Sequence, residues 1–218
     1  AQGSRELREA ISKHLYDFRG MEVIPENIVI GAGCEYLYYL ITRLIGNDKI
    51  FALEEPGHAK IQQIYTLNGI KCRTIDPDRN GIDTDVLNKT GSDILHISPS
   101  HHFPSGMITP IGQRYRLLKW AQEGERYIIE DDYDSEFRFN GKPIPSLKSI
   151  DYNNRVIYVN TFSKTISPAL RIGYMVLPPA LMSEYHDKMP FLSCAVPVFE
   201  QYTLAEFIAN GKFEQLIS

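Results

Sequence analysis

Apolar, β-branched runs that each stop on a small or polar cluster are the feature that most constrains this chain. Asn27–Gly31 leads into Gly31-Ala32-Gly33. Lys49–Leu53 leads into Glu54-Glu55-Pro56-Gly57-His58, and Ile94–Ser98 into Pro99-Ser100. Tyr127–Glu130 ends in Asp131-Asp132-Tyr133, and Arg155–Asn160 in Thr161-Phe162-Ser163-Lys164. Such runs, bounded by turn residues, predict strands. Helix-patterned segments lie between them: Arg5–Arg19 with Leu7, Ala10, Ile11, Leu15 and Phe18 on one face, Cys34–Ile45, a segment through Leu67, Asp83–Leu87 and Pro110–Glu123. Strands alternating with helices predict an α/β fold, with a mostly parallel sheet covered on both faces. Ile172–Leu177 follows its predecessor too closely for a crossover helix, so the sheet is expected to be mixed. Helices at about 180–188 and 197–210 follow, and Gly211–Ser218 is expected to add no closing element. The strand ends then line one edge of the sheet, where ligand sites of such folds sit.

Composition removes several function classes. A net charge of −4 makes nucleic acid an unfavourable partner for these residues taken alone. Cys34, Cys72 and Cys194 are far apart with no CxxC pair, which argues against a disulfide framework or zinc cluster and fits a reducing cytoplasm. No apolar run is long enough to span a membrane. His101 and His102 are adjacent, an arrangement poorly suited to shared metal ligation, and neither HExxH nor a GxSxG elbow is present. The 218 residues open directly on a helix with Ser4 as its expected N-cap, and the chain reads as a piece of something longer.

The clusters at the strand ends carry the chemistry. Gly31-Ala32-Gly33 at a strand-to-helix turn is either a purely structural turn or a phosphate seat built from backbone N–H groups. It is neither a dinucleotide fingerprint, since Tyr36 stands where GxGxxG needs glycine, nor a Walker loop. Asp131 and Tyr133 fall on one face by alternation, with Glu130 and Asp132 on the other. The alternative is a solvated acidic loop, although four acids within Glu130–Asp134 call for at least one fixed partner. Thr161 and Ser163 share a face, Lys164 follows, and Arg171 lies seven residues further on. A hydroxyl, an arginine and a glycine-rich helix start make a phosphate cup. A lysine at a strand end can condense with a carbonyl. Phosphate, protonated ring nitrogen, ring oxygen and reactive carbonyl together describe pyridoxal phosphate.

Four stretches carry a resemblance. Glu54-Glu-Pro-Gly57, Ser98-Pro-Ser-His-His-Phe-Pro-Ser-Gly106, Ile128-Ile-Glu-Asp-Asp-Tyr-Asp-Ser-Glu-Phe-Arg138 and Thr161-Phe-Ser-Lys-Thr-Ile-Ser-Pro-Ala-Leu-Arg-Ile-Gly-Tyr174 resemble the aminotransferase-like domain of MocR-type regulators, a GntR subfamily. The resemblance runs nearly end to end. It implies the three-layer α-β-α large domain of fold-type I pyridoxal-phosphate enzymes over residues 1–218, with a Schiff base on Lys164, Asp131 at the pyridine nitrogen and Tyr133 at the ring oxygen. Ala32, Gly33 and Cys34 would offer N–H groups to the phosphate, helped by Thr161, Ser163 and Arg171. His58 stands where the family has tyrosine over the cofactor ring, and His102 where it has glutamine toward the cofactor oxygen. Lys60 is a candidate partner for a substrate carboxylate.

The resemblance also implies an N-terminal winged helix-turn-helix for DNA and a C-terminal small domain, neither present in these residues, and a homodimer. Three readings follow: a domain sensing a small amino compound, an aminotransferase acting on a small amino acid with Lys164 also as general base, or a dimerisation module with no cofactor.

Overall fold

The structure, a computed structural model, describes residues 2–134 and 144–217. The tail of one resembling stretch, Ser135 to Arg138, lies outside the described residues. In chain order the elements are α1 (Arg5–Arg19), β1 (Ile28–Gly31), α2 (Cys34–Ile45), β2 (Ile50–Glu54), α3 (Ala59–Leu67), β3 (Lys71–Ile75), α4 (Thr84–Lys89), β4 (Ile94–Ile97), α5 (Ile111–Glu123), β5 (Tyr127–Asp131), β6 (Val156–Thr161), β7 (Gly173–Val176), α6 (Pro179–Lys188), α7 (Val198–Ala209) and α8 (Lys212–Ile217). Helix α1 starts where expected: the Ser4 hydroxyl accepts from the Leu7 amide at 3.3 Å, and Gly20 closes the helix in the left-handed region at φ 60°. Helix α8 corrects the expectation of an open end. Its six residues carry too little periodic pattern to register, but Phe213 is fully buried against α1 and α7.

The sheet runs β1-β7-β6-β5-β4-β2-β3. Strands β3, β2, β4, β5 and β6 are parallel, and β7 lies antiparallel to both β6 and β1. The mixed sheet expected from the short link before β7 is therefore present. Because both its neighbours oppose β7, β1 points the same way as β6, and the C-terminal ends of β1, β2, β4, β5 and β6 share one edge.

Alternation along the strands sorts the core into two layers. Val29, Leu53, Ile129, Ile157, Val159 and Met175 pack under α2, α3 and α6. On the other face, Ile30, Tyr158 and Tyr174 meet α1, α7 and α8, while Ala52, Leu95, Ile97 and Ile128 meet α4 and α5. The architecture is the three-layer α-β-α arrangement. Fully buried Arg114 on α5 ties the loops beyond β4 together by donating to the carbonyls of Thr109, Pro145 and Pro99, each at 2.9 Å.

His14 of α1 is buried between the rings of Phe18 and Phe213, 4.9 and 5.0 Å away, and burial pushes its pKa down to about 4. The unfolded imidazole takes up its proton near pH 6.5, while the folded one resists until about pH 4. Stability from this residue is thus lost as pH falls through that window, by about 3 kcal/mol in all. Glu54 and Glu130, raised to about 7 by burial, act in the opposite sense as pH rises. The expected result is a difference: between pH 6.5 and 4, wild type loses about 3 kcal/mol more than His14→Phe in paired denaturant melts.

Candidate functional site

A cleft of about 520 Å³ opens at the shared strand edge. Gly33, Cys34, Glu35 and Tyr38 reach it from the start of α2, and Asp131 and Tyr133 from the end of β5. Thr161, Ser163 and Lys164 follow β6, and Arg171 precedes β7. His58, Lys60, Ile61 and Ile64 form the wall from the loop after β2 and from α3. Every residue expected at the site lies here except Ala32 and His102.

The floor is Asp131. It is 3% exposed, and its Oδ2 accepts from the Tyr38 hydroxyl and lies 3.1 Å from His96 Nε2. Its Oδ1 is buried with no hydrogen-bond partner. A buried carboxylate oxygen without a donor is costly unless a ligand supplies one. The neighbouring acids do not form a solvated loop. Glu130, fully buried, accepts from the amides of Leu147 and Lys148 at 2.8 Å, and Asp132 pairs with Arg19 at 2.6 Å, both on the other face from Asp131.

At one end of the cleft the first N–H groups of α2 have no intrahelical acceptor. Gly33 itself is committed, its N–H donating to the Gly31 carbonyl at 2.9 Å. Its φ of 91° and its packing explain the glycine, since a Cβ here would lie 3.2 Å from Arg171 Nη2. Ala32 packs on the core layer of α1 and α7 rather than on the cleft. Thr161 Oγ1 lies 3.1 Å from Ser163 Oγ, and Ser163 Oγ donates to the Leu170 carbonyl at 2.7 Å. That bond ties the loop carrying Arg171 to the strand end. The Cys34 thiol is pushed well above its usual range, chiefly by burial, so it stays protonated.

Lys164 Nζ sits 3.9 Å from the centre of the Tyr133 ring and 3.5 Å from Asp134 Oδ2. The Tyr133 hydroxyl donates to the His101 carbonyl at 2.8 Å, leaving its oxygen free to act only as an acceptor. Burial holds the phenol protonated. His58 stacks on Phe103 with centroids 4.3 Å apart, meets the Tyr133 ring edge to face at 5.4 Å, and lines the cleft. His102 departs from the expectation for it. Its Nδ1 lies 2.6 Å from Ser105 Oγ and its Nε2 2.9 Å from the Pro56 carbonyl, so both nitrogens are spent joining two loops away from the cleft. Lys60 is also committed, in an ion pair with Glu35, whose Oε1 lies 3.9 Å from Arg171 Nη2. No cluster of His, Cys, Asp or Glu among the described residues could hold a metal ion.

Tyr38, His96 and Tyr65, which backs His96 at 2.6 Å, are the partners that sequence reasoning misses. The signal available was a histidine inside the otherwise apolar strand Ile94-Leu-His-Ile97, a buried polar group that needs partners.

The assembled cleft can hold a dianion at the α2 end, a cationic ring nitrogen at Oδ1 of Asp131, a flat ring against His58, and a carbonyl carbon at Lys164.

Comparison with known proteins agrees. The family model "Aminotransferase class I and II" matches residues 1–215. The uncharacterized HTH-type transcriptional regulator YdeL of Bacillus subtilis is 39% identical over 99% of the chain, and the HTH-type pyridoxine biosynthesis transcriptional regulator PdxR of Corynebacterium glutamicum 31% over 96%. The chain spans about half the length of these relatives, 47% and 46%. An archaeal alanine:glyoxylate aminotransferase superposes with a TM-score of 0.89 at 28% identity, over 99% of this chain and 56% of that one. LysN, the α-aminoadipate aminotransferase of Thermus thermophilus, solved with N-(5′-phosphopyridoxyl)-L-leucine, gives 0.86 at 26% over the same shares.

Proposed function

The chain belongs to the class I and II aminotransferase family, and from that premise we propose that residues 1–218 are the large, cofactor-binding domain of a MocR-type transcriptional regulator whose cleft binds pyridoxal phosphate. The observation that carries the cofactor is the unpartnered Oδ1 of Asp131 on the same cleft wall as the amine of Lys164 and the cup formed by Thr161, Ser163 and Arg171. When bound, pyridoxal phosphate supplies an aldehyde that condenses with primary amines and a ring that withdraws electrons.

The residues divide that work. The N–H groups of Cys34 and Glu35, the hydroxyls of Thr161 and Ser163, and Arg171 would hold the phosphate. Asp131 would keep a ring nitrogen protonated, His58 would lie against the ring, and Tyr133 would accept from or stand near the ring oxygen. Lys164 would be the primary amine that holds the aldehyde carbon. Ala32 shapes the turn from the core side, and His102 fixes the loop that carries His58.

The curated relatives are named as HTH-type transcriptional regulators and are about twice as long, which supports a DNA-binding domain outside these residues. Among the described residues no helix is long and apolar enough to cross a membrane. The likeness to aminotransferases supports a second reading, turnover of a small amino acid. One experiment separates them. The loaded protein is mixed with a panel of amino acids and ω-amino acids, and release of keto acid or aldehyde is measured by mass spectrometry. A spectral change without product supports sensing. Stoichiometric carbonyl product supports the enzyme, and no response to any amine contradicts both.

Glu35 yields a further prediction. Its carboxylate lies 3.9 Å from Arg171 and engages Lys60, so it would compete with a bound phosphate for Arg171. Glu35→Gln is expected to tighten pyridoxal phosphate binding roughly fivefold, the size of a partly exposed charge interaction, and to leave pyridoxal, which lacks the phosphate, unchanged. Equilibrium titration of both compounds checks this.

A further inference from the structure

Asp131 receives its interior contacts on one oxygen only. The Tyr38 hydroxyl and His96 Nε2 both meet Oδ2, and Oδ1 has no partner. His96 is held from behind by Tyr65, whose hydroxyl lies 2.6 Å from Nδ1. The rings of Tyr38 and Tyr65 close on the imidazole at 5.1 and 5.6 Å, edge to face. Tyr65 is fully buried, and His96 and Asp131 are each 3% exposed.

The tautomer of His96 follows from counting donors. The Asp131 carboxylate can only accept, so a neutral imidazole beside it carries its hydrogen on Nε2, and its Nδ1 accepts from the Tyr65 hydroxyl, which burial keeps protonated. An imidazole accepting at Nδ1 carries its hydrogen on Nε2 and donates it to Asp131. The Tyr38 phenol, also raised by burial, donates to the same oxygen. Both interior hydrogen bonds therefore fall on Oδ2, and the carboxylate is held with Oδ1 available. Without Tyr65, the imidazole is free to place its hydrogen on Nδ1. The Nε2 lone pair would then face Oδ2, and the carboxylate would keep only the Tyr38 hydroxyl as a donor and lose the second contact that fixes its orientation.

We propose that Tyr65 and His96 are positioning residues that fix the Asp131 carboxylate with Oδ1 free, and so make the cleft select a ligand bearing a protonated aromatic nitrogen. This rests on the reading of the cleft as a pyridoxal phosphate site. Neither residue lines the cleft beside Asp131, and both act through the carboxylate.

The test compares two probes on the full chain: pyridoxal phosphate, and the analogue with C–H in place of the ring nitrogen. Wild type is expected to prefer pyridoxal phosphate by roughly 10- to 100-fold, the range for a hydrogen bond to a charged group. His96→Leu is expected to reduce this preference to roughly threefold or less, and Tyr65→Phe to lower it by roughly 2- to 10-fold. His96→Gln, which keeps a donor toward Oδ2, should retain most of it. Affinity for the carbon analogue should stay unchanged throughout, which also shows that each variant is folded. An unchanged preference in His96→Leu overturns the proposal. If that variant does not fold, an unchanged preference in Tyr65→Phe overturns it. Equal binding of both probes by wild type overturns this inference alone and leaves Lys164 and the phosphate cup standing. Failure of wild type to bind either probe overturns the cofactor reading and this inference together.

Discussion

Lys164→Ala is expected to abolish covalent capture of pyridoxal phosphate while leaving a weaker, reversible complex. Among the described residues the Nζ of Lys164 and that of Lys60 are the primary amines lining the cleft, and Lys60 is engaged by Glu35. Removing Lys164 deletes the group that can condense with an aldehyde, so no borohydride-stable adduct should remain at the site. The phosphate cup and Asp131 are untouched by the change, so equilibrium binding persists. Arg171→Ala should behave in the opposite way. The lysine stays, but loss of one charge-assisted contact to the phosphate weakens binding by roughly 10- to 100-fold. Measured side by side, the two variants separate attachment from recognition. An adduct that survives in Lys164→Ala at the wild-type level would contradict the assignment of the lysine.

The largest stability effect is expected at Arg19, outside the cleft. Arg19 leaves the end of α1 and pairs with Asp132 at 2.6 Å, with side chains 10% and 0% exposed. Tyr158 donates to the same Asp132 oxygen at 2.5 Å. Arg19→Ala strands a buried carboxylate, and breaking such a pair from one side costs about 3–5 kcal/mol. For a chain of this size that lowers the melting temperature by roughly 10 °C. The double change Arg19→Met, Asp132→Leu is expected to recover much of the loss, because no charge is then left buried. Calorimetry of the two variants checks the sign. The consequence for the site is indirect but real: Asp132 anchors the backbone between Asp131 and Tyr133, so a loosened Asp132 should also weaken ligand binding.

The layout of the site was legible because strand alternation is a strong constraint. Period 2 placed Asp131 and Tyr133 on one wall and turned Glu130 and Asp132 toward the interior, where their partners Arg19, Leu147 and Lys148 lie. Thr161 and Ser163 shared a face by the same rule, and Lys164 reached the edge because it directly follows that strand end. The fold followed from alternating strands and helices, with β7 as the reversed strand because its link is short. Local pattern does not show which of two adjacent residues in a loop points inward. Thus His102 was expected at the cofactor and instead bridges Ser105 and Pro56. Nor does it show contacts between elements distant in sequence. Tyr38, Tyr65 and His96 meet only because α2, α3 and β4 converge behind Asp131. Lys60 looked like a free cation until the fold set Glu35 beside it.

The central claim is that this cleft holds pyridoxal phosphate on Lys164. The most direct measurement is to incubate the full chain with pyridoxal phosphate, reduce with borohydride, digest, and locate the added mass by peptide sequencing. The account predicts one stoichiometric phosphopyridoxyl group on the peptide containing Lys164, with Asp131→Ala weakening its formation. Modification spread over surface lysines, with Lys164 left free, would contradict it.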